Sequence, residues 1–214
     1  MKKKHRIALV ICYIGKLPWY FDYFAHSCSF NSDIDFYIIT DDKSYDKSVS
    51  PNIHFVYKTL KEINILATEK LDFETNISTG YKLCDFKPAY GFIFSNIVEK
   101  YDFWGHGDLD IIYGNIRKFM DQNVLDNYDV IALRDDYLTG YFQLFRNNET
   151  CNKLFMNSKD YKKVFMSTKH YCFDETNFNF IDFERGLHYN NVKSEVESMT
   201  HVVKKCDEQK KIRA

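Results

Sequence analysis

Two carboxylates separated by one residue, Asp108 and Asp110, follow a short apolar run, Phe103-Trp104, and two glycines, Gly105 and Gly107. Strand alternation sets residues i and i+2 on one side, so this spacing predicts that both carboxylates face one point. Like charges that close repel each other unless a cation lies between them. Hard divalent ions such as Mg²⁺ or Mn²⁺ take oxygen ligands, commonly one or two carboxylates with substrate phosphates completing the shell. The chemistry expected is cation-assisted handling of a phosphorylated ligand, with Gly105 and Gly107 letting a bulky ligand approach the backbone. The competing reading of a D-x-D is a plain hydrophilic turn. The preceding apolar run, the paired glycines and the following Ile111-Ile112 weigh against it here.

The elements that must position these residues alternate. Continuous or alternating apolar runs predict strands over 7–14, 34–39, 53–57, 101–106, 128–133 and 141–145. Helical spacing covers 17–28, 59–71, 116–120, 149–165 and 174–185, and a further helix over 85–99 is capped by Asp85 with Pro88 in its first turn. Such alternation predicts an α/β fold with a mostly parallel sheet flanked by helices. Ligands of such sheets bind beyond the carboxyl ends of the strands. Tyr13 and Gly15, Asp41 and Asp42, and Asp108 and Asp110 should therefore line one crevice. Near its end the chain carries Val192, Val196, Met199, Val203 and Cys206 among many charges, the narrow apolar seam of a helical tail. It reads as a surface helix packing on the domain, with a dimer seam or a membrane-surface contact as alternatives. The division expected is one main domain over 1–190 and a charged helical tail over 191–214.

Composition bounds the partners. A chain of 214 residues with 45% hydrophobic content suffices for one good-sized core. The 29 basic against 30 acidic residues give no global field for nucleic acid or an anionic membrane. The six cysteines are scattered without a C-x-x-C, as expected of free thiols in a reducing cytosol. The opening Met1-Lys-Lys-Lys-His-Arg followed by an apolar run imitates a signal peptide. The run is short and leads into Lys16, Pro18 and Asp22, so it reads as the first core strand. No stretch approaches the ~18 apolar residues that span a bilayer.

With these residues in view, the sequence resembles GT-A-type nucleotide-sugar glycosyltransferases, and within them an uncharacterised bacterial family associated with capsular and lipopolysaccharide synthesis. The resemblance lies in Cys12–Pro18, Thr40-Asp41-Asp42, Tyr81–Gly91, Trp104–Asn115, Gly140–Asn147 and Phe173-Asp174-Glu175, and covers roughly residues 6–185. The order of motifs is also similar to family-eight retaining glycosyltransferases. The resemblance implies a GT-A-like (Rossmann-like) fold, a UDP-sugar donor, a saccharide or lipid-linked acceptor, and a Mn²⁺ or Mg²⁺ cofactor on Asp108 and Asp110. It implies nucleotide-sugar binding by Tyr13, Gly15, Asp41, Asp42, Lys87, His106 and Gly107, with Lys87 near the diphosphate. Asp174 and Glu175 match an acidic-amide pair near the sugar and stand as the catalytic candidates. It further implies a cytoplasmic enzyme, with peripheral contact at the inner face of the membrane as an option. The sequence departs from family eight in lacking its C-terminal histidine motif, which leaves acceptor and stereochemistry open.

Each assignment has a bland counterpart. Asp41-Asp42 reads equally as a turn, Lys87 as a surface lysine, His106 as a core histidine bonded to backbone and Asp174 as a helix cap. Arg146 reads as structural, and His188 and His201 as isolated surface residues. Two other functions remain open from sequence: a haloacid-dehalogenase-like phosphohydrolase, which also uses D-x-D after a strand, and a non-catalytic nucleotide-sugar-binding module.

Overall fold

A computed structural model describes residues 4–45 and 47–214, so Met1, Lys2 and Lys3 of the basic opening lie outside the described residues. The apolar run Ile7–Cys12 forms β1, the kind of strand that needs cover on both faces. It lies near the middle of a six-stranded sheet of order β3-β2-β1-β4-β6-β5. In chain order the sheet comprises β1, β2 (Ile34–Thr40), β3 (Ile53–Tyr57), β4 (Phe103–Gly107), β5 (Val130–Ala132) and β6 (Phe142–Arg146). β1 to β4 pair in parallel, whereas β6 runs antiparallel to both β4 and β5.

Helices cover both faces. α1 (Phe21–Ser29) precedes β2, and α2 (Leu60–Leu71) follows β3, opened by Thr59 and Glu62 in a reciprocal capping box. Before β4 the expected single helix over 85–99 is three short ones, α3 (Leu83–Phe86), α4 (Tyr90–Ile93) and α5 (Ser95–Val98). A 3₁₀ turn at Lys87–Ala89, containing Pro88, separates the first two, as expected where proline removes a backbone donor. α6 (Ile116–Phe119) and α7 (Gln122–Asn127) lead to β5. The stretch expected as one helix over 149–165 also breaks, into α8 (Glu149–Asn152) and α9 (Tyr161–Met166). α10 (Phe180–Glu184) and α11 (Met199–Glu208) complete the chain.

Alternation along the strands divides the core. Ile7, Leu9 and Ile11 of β1 and Phe103 of β4 join Phe21, Phe24 and Tyr113 on one face. Val10 and Trp104 join Phe86, Tyr90, Phe145 and Phe165 on the other. The apolar seam of the tail enters this second core: Val196, Met199, Val203 and Cys206 are all buried there. The six cysteines are free. Among the described residues no helix is long and apolar enough to cross a membrane.

Candidate functional site

The carboxyl ends of β1, β2 and β4 open on the same edge, as parallel pairing requires. Beyond β1 the chain turns at Gly15, whose φ of +100° disfavours any side chain. The loop is tied to the end of β2: Gly15 N–H donates to Asp41 Oδ1 at 2.7 Å and Leu17 N–H to Asp42 Oδ2 at 2.8 Å. The Ser44 hydroxyl and the Leu17 and Ser44 amides donate to Asp42 and hold its carboxyl below its ordinary value. Tyr13, Gly15, Asp41 and Asp42 are thus brought together, and the two aspartates have at least a structural use as loop ties.

At the end of β4 the centre of the site is an ammonium. Lys87 Nζ lies 2.6 Å from Asp108 Oδ1, 2.9 Å from the Gly140 carbonyl oxygen and 3.8 Å from Asp174 Oδ2. Burial works against the Lys87 charge, but Asp174 and Asp108 outweigh it and raise its pKa above that of an ordinary lysine. Burial pushes the Asp174 carboxyl well up, with Lys87 opposing and Glu175 adding to the rise. Burial also raises Asp108, which Lys87 opposes and Asp110 reinforces. Gly140 is the backbone hub of this cluster. Its carbonyl accepts from Lys87 and faces His106 Nδ1 at 3.1 Å, and its N–H donates to Glu175 Oε1 at 2.5 Å. A Cβ at Gly140 would stand 2.6 Å from Asp174 Oδ2, so any side chain there would push that carboxylate from its place.

The segment carrying Asp174 and Glu175 is held from three sides. Asp85, fully buried, accepts from the N–H groups of Tyr171 at 3.0 Å and Phe173 at 2.9 Å and from Lys82 Nζ at 2.8 Å. Burial works to raise the Asp85 carboxyl, but His170 and Lys82 outweigh it and hold it low. From α11, Thr200 donates to the Glu175 carbonyl through both its N–H, at 3.1 Å, and its hydroxyl, at 2.7 Å. Asn177 binds the Tyr171 carbonyl at 2.8 Å and accepts the Glu195 N–H at 2.8 Å. Within this segment Cys172, Asn177 and Phe178 have φ of +51°, +54° and +65°. Non-glycine residues keep such conformations where surrounding structure over-determines them, a condition common at functional sites.

Several expectations change. Asp108 and Asp110 lie in the turn after β4, which ends at Gly107, so strand alternation is not what relates them. Asp108 turns to Lys87 while Asp110 is exposed. Gly105 and Gly107 leave room for the protein itself: a Cβ would meet the Gln143 carbonyl at 2.2 Å and the Tyr113 hydroxyl at 2.3 Å, respectively. His106 is fully buried and faces the Gly140 carbonyl; burial and then Lys87 lower its pKa to about 3. Lys87 is buried, not a surface lysine. Asp174 caps no helix, because the expected helix over 174–185 begins only at Phe180. Asp85 is likewise no cap but a buried acceptor. His188 is exposed and bonded to Glu208, but His201 is buried between Ser194 and Ser198. Arg146 is structural, on Asp129 and the carbonyls of Leu125 and Tyr128. Sequence reasoning missed the hub role of Gly140 and the tie through Thr200. The only signal for the first was a glycine leading the β6 stretch.

Among the described residues no three His, Cys, Asp or Glu side chains converge as a ready metal site. Asp108 and Asp110 offer two carboxylates, one already sharing an oxygen with Lys87 and the other without an ion-pair partner among the described residues. That donor set suits a hard divalent cation whose shell is completed by ligand phosphates and water. No curated protein matches the sequence. Among solved structures the chain is similar to the galactosyltransferase LgtC in complex with donor and acceptor sugar analogues, at 13% identity and a TM-score of 0.38. The match covers 77% of this chain and 66% of that one, a little under two thirds of its length. The model of DUF6625, described as a family of unknown function, matches residues 9–212, and the chain belongs to that family.

Proposed function

We propose that the chain is a divalent-cation-dependent glycosyltransferase that moves a sugar from a UDP-sugar to a saccharide or lipid-linked acceptor in surface polysaccharide synthesis. The observation that carries this reading is the charge balance at the carboxyl edge of the sheet. Asp108 and Asp174 lie against Lys87, Asp110 and Glu175 add their charge to those two carboxylates, and among the described residues no other ammonium is in ion-pair reach of this group. Such a site repels a diphosphate unless a cation accompanies it, and it attracts that cation.

Asp108 and Asp110 would hold Mn²⁺ or Mg²⁺. The bound ion supplies Lewis-acid stabilisation of negative charge on the departing nucleoside diphosphate. Lys87, fixed by the Gly140 carbonyl, adds a point charge toward the phosphates. The loop formed by Tyr13, Gly15, Asp41 and Asp42 receives the nucleoside. His106 and Gly107 act from beneath, the first through Gly140 and the second by admitting Tyr113. Asp174 and Glu175 face the sugar and the acceptor hydroxyl. A carboxylate there takes the acceptor proton in an inverting reaction, or orients the sugar and stabilises positive charge at the anomeric carbon in a retaining one.

Calorimetric titration with UDP and Mn²⁺, separately and together, tests this. UDP is expected to bind tightly only with Mn²⁺, and Asp110→Ala to weaken it at least tenfold while the melting temperature stays within a degree or two, because an exposed turn carboxylate supports little packing (about 0.5 kcal/mol). UDP binding that ignores Mn²⁺, or is unchanged in the variant, would place the phosphate chemistry elsewhere.

A further inference from the structure

Beside Asp110 lies a groove of about 620 Å³, walled on one side by α1 and its flanking residues from Trp19 to Phe30 and on the other by the turn from Leu109 to Tyr113. α1 buries Phe21, Phe24, Ala25 and Cys28 against the sheet. The remaining rings face outward: Trp19 is 82% exposed, Tyr23 61% and Phe30 71%, and Ile112 across the groove is 66% exposed. Single exposed apolar side chains need no explanation, but a contiguous aromatic wall marks a contact surface. Trp19 meets Tyr20 and Tyr23 edge to face, with centroids 5.7 and 6.2 Å apart, so the rings present flat faces in more than one direction.

We propose that this groove is the acceptor subsite of the transferase described above, on whose reading it rests, and that it takes a neutral saccharide chain. No lysine or arginine lines it, and its single histidine, His26, is balanced by the Asp110 carboxylate in the same wall, so it carries no net positive charge to draw in a phosphate, a nucleic acid or an anionic headgroup. A hydrocarbon chain would desolvate the Asp110 carboxylate in its wall without replacing the lost hydrogen bonds. A pyranose ring satisfies both parts. Its C–H face lies on an aromatic ring, while its hydroxyls reach Asp110 and the phenols of Tyr20 and Tyr23, the usual arrangement of apolar walls with few polar anchors. Asp110 belongs to both the groove and the carboxylate cluster, so a chain lying in the groove ends at the reacting centre.

The protein reports on this groove by itself. It has two tryptophans, and Trp104 is fully buried, so acrylamide-quenchable emission belongs to Trp19. Quenching is measured with maltotriose, lactose, chitotriose and mannotriose, each alone and with UDP and Mn²⁺. UDP with Mn²⁺ and vesicles of phosphatidylcholine with phosphatidylglycerol are measured alone. At least one saccharide should protect Trp19 saturably, and Tyr23→Ala and Phe30→Ala should each weaken that protection at least fivefold while leaving the UDP–Mn²⁺ titration unchanged. The proposal is overturned if none of the saccharides protects Trp19, if UDP with Mn²⁺ protects it in their place, or if vesicles do so. Saccharide protection without UDP–Mn²⁺ binding would confirm the groove and remove the transferase reading.

Discussion

At the scale of single residues, Lys87 decides the character of the site. An ammonium enclosed by two carboxylates and a carbonyl is stable only while its partners remain. Lys87→Met fills similar space but leaves Asp108 and Asp174 facing each other without a counter-ion. The expected cost at pH 7 is roughly 3 kcal/mol, at the lower end for a broken buried pair because Asp108 is partly exposed. In the variant both carboxyls have folded pKa values above their unfolded ones, so the folded state binds more protons and gains stability as pH falls. The deficit against wild type should therefore shrink between pH 7 and pH 4.5 in urea unfolding. A deficit that stays constant over that range would show that Lys87 is not what neutralises the pair.

At the scale of elements, the segment carrying Asp174 and Glu175 is placed by a helix turn distant from it in sequence. α3 carries Asp85 into the core, where its carboxylate accepts two backbone N–H groups of the 171–173 segment and pairs with Lys82. Asp85→Asn keeps the shape but turns an amide N–H toward one of those donors and leaves the Lys82 charge unpaired. A loss of about 3 kcal/mol is expected. Hydrogen exchange is the decisive readout: amides over 171–177 should exchange at least tenfold faster while those of β1 and β4 keep their protection. Uniform acceleration across the sheet would indicate a general loss of stability and not the release of a tie.

At the scale of the whole molecule, two histidines make stability depend on pH. His106 and His201 are buried, and burial is the largest influence lowering them to about 3 and about 4. Unfolded, each has the ordinary value of 6.5. Below pH 6.5 the unfolded chain therefore binds protons that the folded chain refuses, and stability falls with pH until each folded value is reached. Each histidine costs up to about 1.4 kcal/mol per pH unit in that window. Melting temperatures from pH 7.5 to 4.5 should decline, and His201→Gln, which still reaches Ser194 or Ser198, should flatten the decline. The comparison with wild type isolates this contribution from the opposing one of Asp174, whose raised pKa favours folding as pH falls. Equal slopes in the two proteins would count against a neutral His201.

What the sequence determined by itself was periodicity and local chemistry. The continuous apolar run of β1 dictated a strand covered on both faces, and strand-helix alternation foreshadowed its parallel neighbours β2 and β4, whereas β2 and β3 pair in parallel with no helix between them among the described residues. The position of Asp108 and Asp110 after β4 and of Asp41 and Asp42 after β2 then put four carboxylates on one edge, whereas the seam expected on one tail helix is split: Met199, Val203 and Cys206 lie on α11, Val196 precedes it, and Val192 packs apart with Phe183 and Tyr189. Tertiary structure alone decided direction and partnership. Alternation marks a strand's face but not its sense, so the antiparallel course of β6, which brings Gly140 beside Lys87, could not be read from residues 141–145. Helical spacing shows an apolar stripe but not where the core bends it, so the helices before β4 and after β6 broke. The contacts that build the site join residues 21 to 88 positions apart, from the ion pair of Lys87 with Asp108 to the hydrogen bond that the Phe173 N–H donates to Asp85. Coulomb attraction in a dry interior depends on distance in space, which the order of residues does not specify.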